Sequence, residues 1–328
     1  MDESLILRPE IENNLPPMVI LSGPTGVGKT KLSIRLAKEI GGEVISADSM
    51  QVYRGMDVGS AKIKPEEMQG VPHHLIDVLE PWEEFNVVTF QTLCKKALQG
   101  IYERKKIPIV VGGTGFYVQA LLREVNFTEN EEDPSYRRQL EEIANTKGPE
   151  ALHAMLREVD PVSAEAIHCN NIKRTIRALE FYQLTKTPIS AHNETERLRP
   201  RAYQSCYFVL NDLRERLYER IDARVDEMIA EGLVDEVMRL REMGCKRGMT
   251  SMQGLGYKEI LAYLEGECTL EEAISQIKLA TRHFAKRQLT WFRREEDVIW
   301  LNKQEFGYDD DKILAEMMQW LRKNKVLK

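Results

Sequence analysis

The sequence predicts an α/β protein: a parallel β-sheet with a phosphate-binding loop, flanked by helices, with a helical insertion domain and a helical C-terminal part. Three observations lead to this prediction. Short apolar runs alternate with helical patterns in the first part of the chain, which is typical of a parallel sheet covered by helices on both faces. A glycine-rich motif follows the first apolar run. Between about residues 125 and 200 the patterns are helical, without strong strand character.

The first strand is predicted at residues 18–21, because this run is fully apolar, as in a parallel strand buried on both faces. A helix is predicted at 31–40, where apolar residues recur at helical spacing and two glycines follow. A second helix is expected at 89–104. The remaining strands are predicted at 43–46, 75–79, 107–111 and 205–210, with a final edge strand at 298–301.

The same patterns predict how the chain is divided. Residues 1–17 end in two prolines and are expected to form a flexible N-terminal lead-in. The phosphate-binding core with its C-terminal helices is predicted at 18–125 and 201–328. The helical insertion domain is predicted at 126–200.

Composition and charge exclude several classes of protein. With 42% hydrophobic and 30% charged residues, the chain of 328 residues is unlike a disordered or fibrous protein. Its 46 basic and 52 acidic residues give a net charge of −6, which argues against a uniformly basic surface but allows a local basic stripe. Five cysteines without a C-x-x-C pair predict neither a disulfide framework nor a zinc site. The absence of a signal-peptide pattern and of a bilayer-spanning apolar run predicts a cytoplasmic protein.

Residues 23–30 carry the clearest functional signal. Their sequence, GPTGVGKT, fits G-x-x-x-x-G-K-[ST] and lies directly between a predicted strand and a predicted helix. The glycines let backbone N–H groups surround a phosphate, Lys29 adds positive charge, and Thr30 offers a hydroxyl to Mg²⁺. A glycine-rich turn that only connects strand and helix is the alternative. The motif predicts a bound diphosphate or triphosphate.

The motif predicts nucleotide binding in the general sense but does not identify ATP. In P-loop kinases and ATPases a carboxylate that holds Mg²⁺ normally follows a neighbouring strand. Here the apolar run at 107–111 is followed by glycines instead. Asp77 is a weak substitute, so whether ATP binds stays open.

A carboxylate follows the second predicted strand. Ligands of open parallel sheets bind at the carboxyl ends of the strands, so Asp48 is expected to face the same crevice as the phosphate loop. An Asp after a strand is also a common N-cap of a short helix, and both interpretations stay open. The nearby Asp57, Ser60 and Lys62 favour a substrate-facing loop.

Seven motifs in order carry a resemblance to one family. They are GPTGVGKT (23–30), DSMQVYRGMDVGSAK (48–62), HHLID (73–77), GGTGFY (112–117), KRTIRALE (173–180), GLGYKE (254–259) and TRHFAKRQLTWFR (281–293). Together they resemble the tRNA dimethylallyltransferase (isopentenylpyrophosphate:tRNA transferase) family over about residues 18–302. The zinc finger that eukaryotic members add has no counterpart in this sequence, so the resemblance is to the bacterial type.

The resemblance implies a reaction. Members of this family transfer a dimethylallyl group from dimethylallyl diphosphate to N6 of adenosine 37 in tRNAs that read codons beginning with U, and they release diphosphate. The phosphate loop then binds the leaving group, and Mg²⁺ is the implied cofactor, with Thr30 as its protein ligand. The implied diphosphate-binding residues are Gly23, Thr25, Gly26, Val27, Gly28, Lys29 and Thr30.

The resemblance also assigns catalytic roles. Asp48 becomes the general base, since an aryl amine is weakly basic and must lose a proton as it attacks. Thr114 lies near the target adenosine, with a simple turn hydroxyl as the alternative. Arg224 lies at the diphosphate.

Two readings of that arginine follow from the sequence around it. Arg220 and Arg224 are four residues apart on a predicted helix that Asp212 and Glu215 could cap. A pair of solvated arginines is therefore the alternative to a diphosphate site.

Residues 278–294 predict an RNA-binding surface. Six basic residues occur there without an acidic one, and aromatic residues are interleaved, as in surfaces that recognise RNA loops. A solvated helix face is the alternative. The expected partner is the anticodon stem-loop of tRNA, with the target base extruded from it, and the protein is expected to be a monomer. The predicted tRNA-binding residues, most of them implied by the resemblance, are Asp48, Ser49, Met50, Gln51, Thr114, Arg137, Lys173, Arg174, Arg177, Gln253, Gly256, Tyr257, Lys258, Arg282, Lys286 and Arg287.

Two other functions are weighed against this one. A P-loop kinase acting on a nucleotide or small metabolite fits the phosphate motif but not the missing carboxylate. A non-catalytic RNA-binding protein fits the basic segment but not the intact Lys29, Thr30 and Asp48. The paired His73 and His74 have no third ligand at suitable spacing, so no metal site is predicted there.

Overall fold

The computed structural model describes residues 15–127 and 134–327. The described residues form two compact units: one runs up to Leu122 and resumes at Ala202, and the other is Arg123–Arg201. The sequence analysis placed the insertion at 126–200. The predicted lead-in 1–17 lies outside the described residues except for its last three, and Pro17 already begins the first strand.

The larger unit is built on a parallel sheet. Its strands are β1 (Pro17–Ser22), β2 (Glu43–Ser46), β3 (His73–His74), β4 (Pro108–Gly112), β5 (Gln204–Asn211) and β6 (Val298–Asn302). They follow the order β3-β2-β4-β1-β5-β6, and every neighbouring pair is parallel. The predicted fold class is confirmed, including β6 as an edge strand. Since β1 lies between β4 and β5, the loop that follows it opens near the middle of the sheet's carboxyl edge.

The third strand differs from the prediction. Residues 75–79 were expected to form it, but the strand is the short His73–His74. Leu75 and Asp77 have φ angles of 61° and 54°, in the left-handed region that a strand does not allow. The segment forms a turn instead, and its apolar residue Leu75 is buried in the core.

Helices are numbered in chain order. Those of the larger unit are α1 (Lys29–Ile40), α2 (Val87–Glu103), α3 (Gly115–Leu122), α9 (Arg214–Ala230), α10 (Leu233–Glu242), α11 (Tyr257–Leu264), α12 (Leu270–Phe292) and α13 (Asp310–Lys323). Those of the smaller unit are α4 (Pro134–Lys147), α5 (Pro149–Val159), α6 (Pro161–Ala166), α7 (Ile172–Thr185) and α8 (Ile189–Arg197). Two 3-10 turns lie at Ser251–Gln253 and Lys303–Phe306.

The core of the larger unit consists of two apolar layers, one on each face of the sheet. Strand β1 shows why, because its successive side chains point to opposite faces. Met18 and Ile20 belong to the layer that includes α2, α3 and α10–α12, while Val19 and Leu21 belong to the layer with α1 and α13. Burial on both faces holds β1, and with it the phosphate loop, in a fixed position.

Helix α9 begins differently from the prediction. Its N-cap is Leu213, without a side-chain capping bond. Asp212 instead accepts a hydrogen bond at Oδ1 from the N–H of Leu213, at 2.8 Å. The predicted cap is wrong because Asp212 lies between the end of β5 at Asn211 and the N-cap Leu213, one residue too early to cap the helix.

An ion pair between a buried carboxylate and an exposed arginine lies at the amino edge of the sheet. Glu43, at the start of β2, accepts two hydrogen bonds from Arg104, at 2.8 and 2.7 Å, and contacts Nε2 of His74 at 2.7 Å. The bond from Arg104 is the main reason that the pKa of Glu43 falls to about 2. His73 contacts the carbonyl of Val71 through Nδ1 at 2.8 Å, so both histidines have structural partners.

The smaller unit has its own apolar core, formed by residues of α4, α5 and α7 such as Leu140, Leu152 and Leu179. The buried Asp160 joins two of its helix starts. One of its oxygens accepts from the N–H of Ser163 at 3.0 Å, and both accept from Ser190, at 3.0 Å from N and 2.6 Å from Oγ. Across both units, no helix within the described ranges has the length and apolar character needed to cross a membrane.

Candidate functional site

The phosphate loop connects β1 to α1 at the carboxyl edge of the sheet. Gly28 is the N-cap of α1 and has a φ of 100°, which favours glycine. Lys29 lies over the loop and donates from Nζ to the carbonyls of Gly23 and Pro24, both at 2.9 Å. Burial lowers the pKa of Lys29 to about 8, an effect that Asp48 opposes and Arg224 reinforces. The negative charge of a bound anion would stabilise the protonated form of this buried ammonium.

More cations surround the loop than the sequence analysis assigned. A Cβ placed on Gly28 would lie 3.3 Å from Nη2 of Arg220 and 3.6 Å from Nζ of Lys303, so both side chains reach the loop. Burial and the neighbouring Arg220 lower the pKa of Lys303. Lys303 was missed because it follows β6, and no local motif links that segment to the phosphate loop.

Arg224 lies on α9, one turn beyond Arg220. Its side chain is half-buried, and burial lowers its pKa while the carboxylate of Asp48 acts in the opposite direction. It approaches the carbonyl of Ala61 at 3.5 Å. An arginine in this setting is not simply solvated, and it lies close enough to Lys29 to act on the same anion.

Asp48 follows β2 and forms a local turn. Its Oδ1 accepts from the N–H groups of Met50, at 2.8 Å, and Gln51, at 3.4 Å. No helix begins here in the described structure, so the N-cap interpretation is wrong and the same side chain stabilises a turn instead. Its Oδ2 forms no hydrogen bond with any described residue. That oxygen is the one available to accept a proton.

A second part of the site is built from the turn after β4. The pairing of Ser46 with Val111 places the residues after β2 beside Gly113 and Thr114. Thr114 precedes α3, and its carbonyl accepts from the N–H of Tyr117 at 2.9 Å. Burial and then the charge of Asp48 raise the pKa of Tyr117 to about 12, which places its phenol on the Asp48 side of the site.

The segment after Asp48 is fixed by a buried lysine. Lys62 donates from Nζ to the carbonyl of Tyr53 at 2.6 Å and pairs with Asp57 at 2.6 Å and Asp77 at 2.5 Å. Asp77 is therefore engaged in the structure of this loop and is not a free carboxylate for a metal. Asp57 and Lys62, expected to face a substrate, bind each other.

Glu236 is a further residue that the sequence analysis missed. It is only 1% exposed, and its carboxylate accepts from the N–H groups of Asp57, Val58 and Gly59 at 2.9, 2.8 and 3.1 Å. It also accepts from the hydroxyl of Tyr257 at 2.7 Å. Glu236 thus ties the loop after Asp48 to α10 and α11. No local signal distinguishes it from an ordinary acidic residue in the first turn of a helix.

The residues around Thr30 fit a magnesium ion. A small cavity of about 30 Å³ has the hydroxyl and amide side chains of Thr30, Ser33, Ser46 and Gln51 on part of its wall, and His73 with four apolar residues on the rest. Oxygen donors of this kind suit Mg²⁺, which usually keeps several waters and takes few protein ligands. Within the described part of the chain, no group of three or more His, Cys, Asp or Glu side chains forms a separate metal site.

Comparison with known proteins agrees with this geometry. The family model described as IPP transferase matches residues 51–295, and the isopentenyl transferase model matches residues 17–78. The chain belongs to the IPP transferase family. The resemblance seen in the sequence motifs is therefore confirmed.

Individual members of the IPP transferase family are similar over nearly the whole chain. A tRNA dimethylallyltransferase of Lachnoclostridium phytofermentans is 60% identical over 314 residues, covering 96% of this chain and 100% of that protein. The crystal structure of a tRNA isopentenylpyrophosphate transferase from Bacillus halodurans is 46% identical, with a TM-score of 0.70 and coverage of 94% and 96%. A eukaryotic dimethylallyltransferase acting on tRNA is 32% identical, with a TM-score of 0.74 and coverage of 88% and 74%.

The basic segment 278–294 of this IPP transferase, which contains the distinctive motif 281–293, runs along α12 and two residues beyond its end. Lys278 and Arg282 pair with carboxylates of α9: Lys278 reaches Asp226 at 2.6 Å, and Arg282 donates from Nε to Asp222 at 2.8 Å. Two of the six basic residues of this stretch are thus partly neutralised. Lys286, Arg287, Arg293 and Arg294 are exposed.

The other predicted tRNA contacts are distributed as follows. In the larger unit, Gln253 and Lys258 are exposed, Gly256 and Tyr257 are buried, and Ser49, Met50 and Gln51 are half-buried. Gln51 turns inward to contact Ser46, with its Oε1 3.1 Å from Oγ.

In the smaller unit, Arg137 forms a two-point ion pair with Glu180 at 2.8 Å. Lys173, Arg174 and Arg177 are exposed on the first two turns of α7, where positive charge opposes the helix dipole.

Proposed function

We propose that this protein transfers a dimethylallyl group from dimethylallyl diphosphate to N6 of adenosine 37 in tRNAs that read codons beginning with U, releasing diphosphate. The observation that carries the proposal is the placement of Asp48. Its Oδ2 forms no hydrogen bond with the part of the chain that the structure describes. Its charge acts on Lys29 and Arg224 on one side and on Tyr117 on the other. A proton acceptor thus lies between a diphosphate cradle and the turn that carries Thr114.

The donor half of the reaction follows from the charges around the phosphate loop. As the allylic C–O bond breaks, its electron pair leaves with the diphosphate, and that developing charge must be neutralised. The loop N–H groups, Lys29 and Arg224 supply this stabilisation. Mg²⁺ held by Thr30 would add charge neutralisation at the diphosphate oxygens.

The acceptor half needs a base and a positioned adenine. The N6 nitrogen forms a bond to the allylic carbon and gives up one proton, which Asp48 accepts at Oδ2. The hydrogen bonds that Oδ1 accepts in the local turn hold the carboxylate in one orientation. Oδ2 is therefore already in position, and the side chain does not have to change its rotamer before the proton is transferred. Thr114 supplies a half-buried hydroxyl on the adenine side.

The RNA partner is proposed to be the anticodon stem-loop, bound by a monomer in the cytoplasm. Exposed Lys286 and Arg287 on α12 and the cations at the start of α7 support phosphate contacts. A base inside a folded loop must be extruded for its N6 to be reached. A kinase is not favoured, because β4 ends without a carboxylate and Asp77 is paired with Lys62.

The test uses the whole protein with dimethylallyl diphosphate, Mg²⁺ and an unmodified anticodon stem-loop, read by mass spectrometry. We expect one added C5H8 on one adenosine, and none when that adenosine is replaced by guanosine. Asp48→Asn keeps the size and the Oδ1 acceptor but removes the base, so transfer should slow by about 10²–10⁴-fold. Phosphate transfer from ATP without any added C5H8 would contradict the proposal.

A further inference from the structure

Gln288, on α12, is buried at the junction of the two loops that form the site. Its Oε1 accepts from the N–H of Thr25 in the phosphate loop at 2.9 Å. Its Nε2 donates to the carbonyl of Gly113, the residue before Thr114, at 3.0 Å. The side chain is only 7% exposed, so although it lies within the basic segment 278–294, it faces the protein rather than RNA.

The hydrogen bonds of Gln288 to Thr25 and Gly113 form a bridge between the two loops. Glycines at the neighbouring positions leave just enough space for it. A Cβ on Gly113 would lie 2.0 Å from Nε2 of Gln288, so a side chain there would expel the amide. One turn further along α12, the indole of Trp291 lies against Gly115, where a Cβ would come within 2.2 Å of Cδ1. The same face of α12 therefore holds the turn after β4 at two points.

The bridge joins two loops at the point where their strands stop pairing. The phosphate loop follows β1 and the Thr114 turn follows β4, and the paired backbone of these strands ends at Ser22 and Gly112. Beyond that point the strands no longer fix the distance between the loops. An amide side chain offers both an acceptor and a donor on one planar group without a charge, as this bridge requires.

We propose that Gln288 is a positioning residue that sets the distance between the diphosphate cradle and the adenine-side turn. The inference rests on the proposed function, since it assigns the two loops to the two substrates. Gln288 does not touch either substrate. It acts through Thr25 and Gly113, so its loss should lower the rate of group transfer within the fully bound complex more than the binding of either substrate.

The test compares wild type with Gln288→Met, which has similar length and cannot form the bridge. Gln276→Met is the matched control, because Gln276 is an exposed glutamine on the same helix. Three quantities are measured: the single-turnover transfer rate with both substrates saturating, the Kd values for inorganic diphosphate and for the stem-loop, and hydrogen–deuterium exchange of peptides covering 23–28 and 112–116.

For Gln288→Met we expect transfer to slow by at least tenfold, since misplacement of reacting groups by about 1 Å can cost about 10²-fold. Both Kd values should change by less than threefold, and exchange should rise in both peptides, whereas Gln276→Met should behave as wild type. An unchanged transfer rate, with or without lower stability, overturns the inference. So does a weaker stem-loop Kd at a normal transfer rate, which would make Gln288 an RNA contact.

The exchange measurement separates this inference from the proposed function. If wild type fails to transfer a prenyl group but exchange still rises in both peptides of Gln288→Met, the bridge stands and the proposed reaction fails. If wild type transfers normally and exchange in the variant is unchanged in either peptide, the reaction stands and the bridge fails.

Discussion

The contacts of the buried Glu236 carboxylate allow a quantitative prediction of the free energy of unfolding. The carboxylate accepts hydrogen bonds from three backbone N–H groups and one phenol. Glu236→Ala would remove the acceptor from the buried hydroxyl of Tyr257 and from three part-buried N–H groups. An unsatisfied buried donor costs about 1–3 kcal/mol, and breaking a buried charged network costs about 3–5 kcal/mol, part of which relaxation and entering water recover. We therefore expect Glu236→Ala to lower the free energy of unfolding by about 3–5 kcal/mol.

Tyr257→Phe removes a single bond from the same carboxylate. The other three acceptor contacts remain, so the expected cost is about 1–2 kcal/mol. The double variant should cost clearly less than the sum of the two single variants, since once the carboxylate is gone the phenol has no partner to lose. This non-additivity identifies the hydrogen bond itself rather than general packing.

The assay is urea unfolding followed by tryptophan fluorescence. All four tryptophans (Trp82, Trp291, Trp300 and Trp320) lie in the larger unit, so the signal reports on that unit alone. Glu242→Ala, an exposed glutamate at the end of α10, is the control and should change stability by less than about 0.5 kcal/mol. A loss below about 1 kcal/mol for Glu236→Ala, or strict additivity with Tyr257→Phe, would refute the reasoning.

Three further predictions concern charge. Because the pKa of Lys29 is lowered to about 8, the ammonium loses its proton as pH rises through that value. The affinity for inorganic diphosphate, measured by calorimetry, should therefore fall above pH 8 in wild type relative to Lys29→Met. Parallel pH profiles of the two proteins would contradict this. The pKa of Glu43 is lowered from 4.5 to about 2, so its stabilisation is complete above pH 4.5 and disappears as pH falls toward 2. This acid-dependent loss, about 3 kcal/mol in unfolding experiments, should be absent in Glu43→Gln. The logarithm of stem-loop affinity should fall linearly with the logarithm of salt concentration, and the Lys286→Glu/Arg287→Glu variant should bind more weakly with a shallower slope; an unchanged slope would remove these cations from the interface.

The parts of the site that the sequence predicted are those specified locally. The phosphate loop could be identified because strand, glycines, lysine and helix are consecutive, and each contributes to one backbone conformation. Asp48 could be placed because the end of a parallel strand determines where the next side chain lies. The third strand was predicted wrongly because alternating and continuous apolar runs also occur in buried turns, and Leu75 is buried without pairing.

The parts that could not be predicted depend on partners far away in the chain. Gln288 meets Thr25 across 263 residues, and Glu236 meets Asp57 across 179. Gln288 lies within the motif 281–293 and Glu236 lies in no motif, but in neither case does the local sequence show which groups the side chain contacts. Which donors and acceptors a buried polar group finds is decided by tertiary packing. The basic stretch on α12 shows the same limit, since Arg282 is neutralised by Asp222, 60 residues earlier.

The two ion pairs between α9 and α12 also fix a helix register. Asp222 and Asp226 are one turn apart, as are their partners Arg282 and Lys278, and the pairs run in opposite order along the two helices. Sliding one helix by a single turn, about 5.4 Å, would leave one aspartate and one cation unpaired, so the native register is the one that pairs all four side chains. Arg224 lies between the two aspartates, and Gln288 lies about 9 Å along α12 from Arg282. The ion pairs therefore fix the position of Arg224 along its helix relative to Gln288, the residue that joins the phosphate loop to the turn after β4.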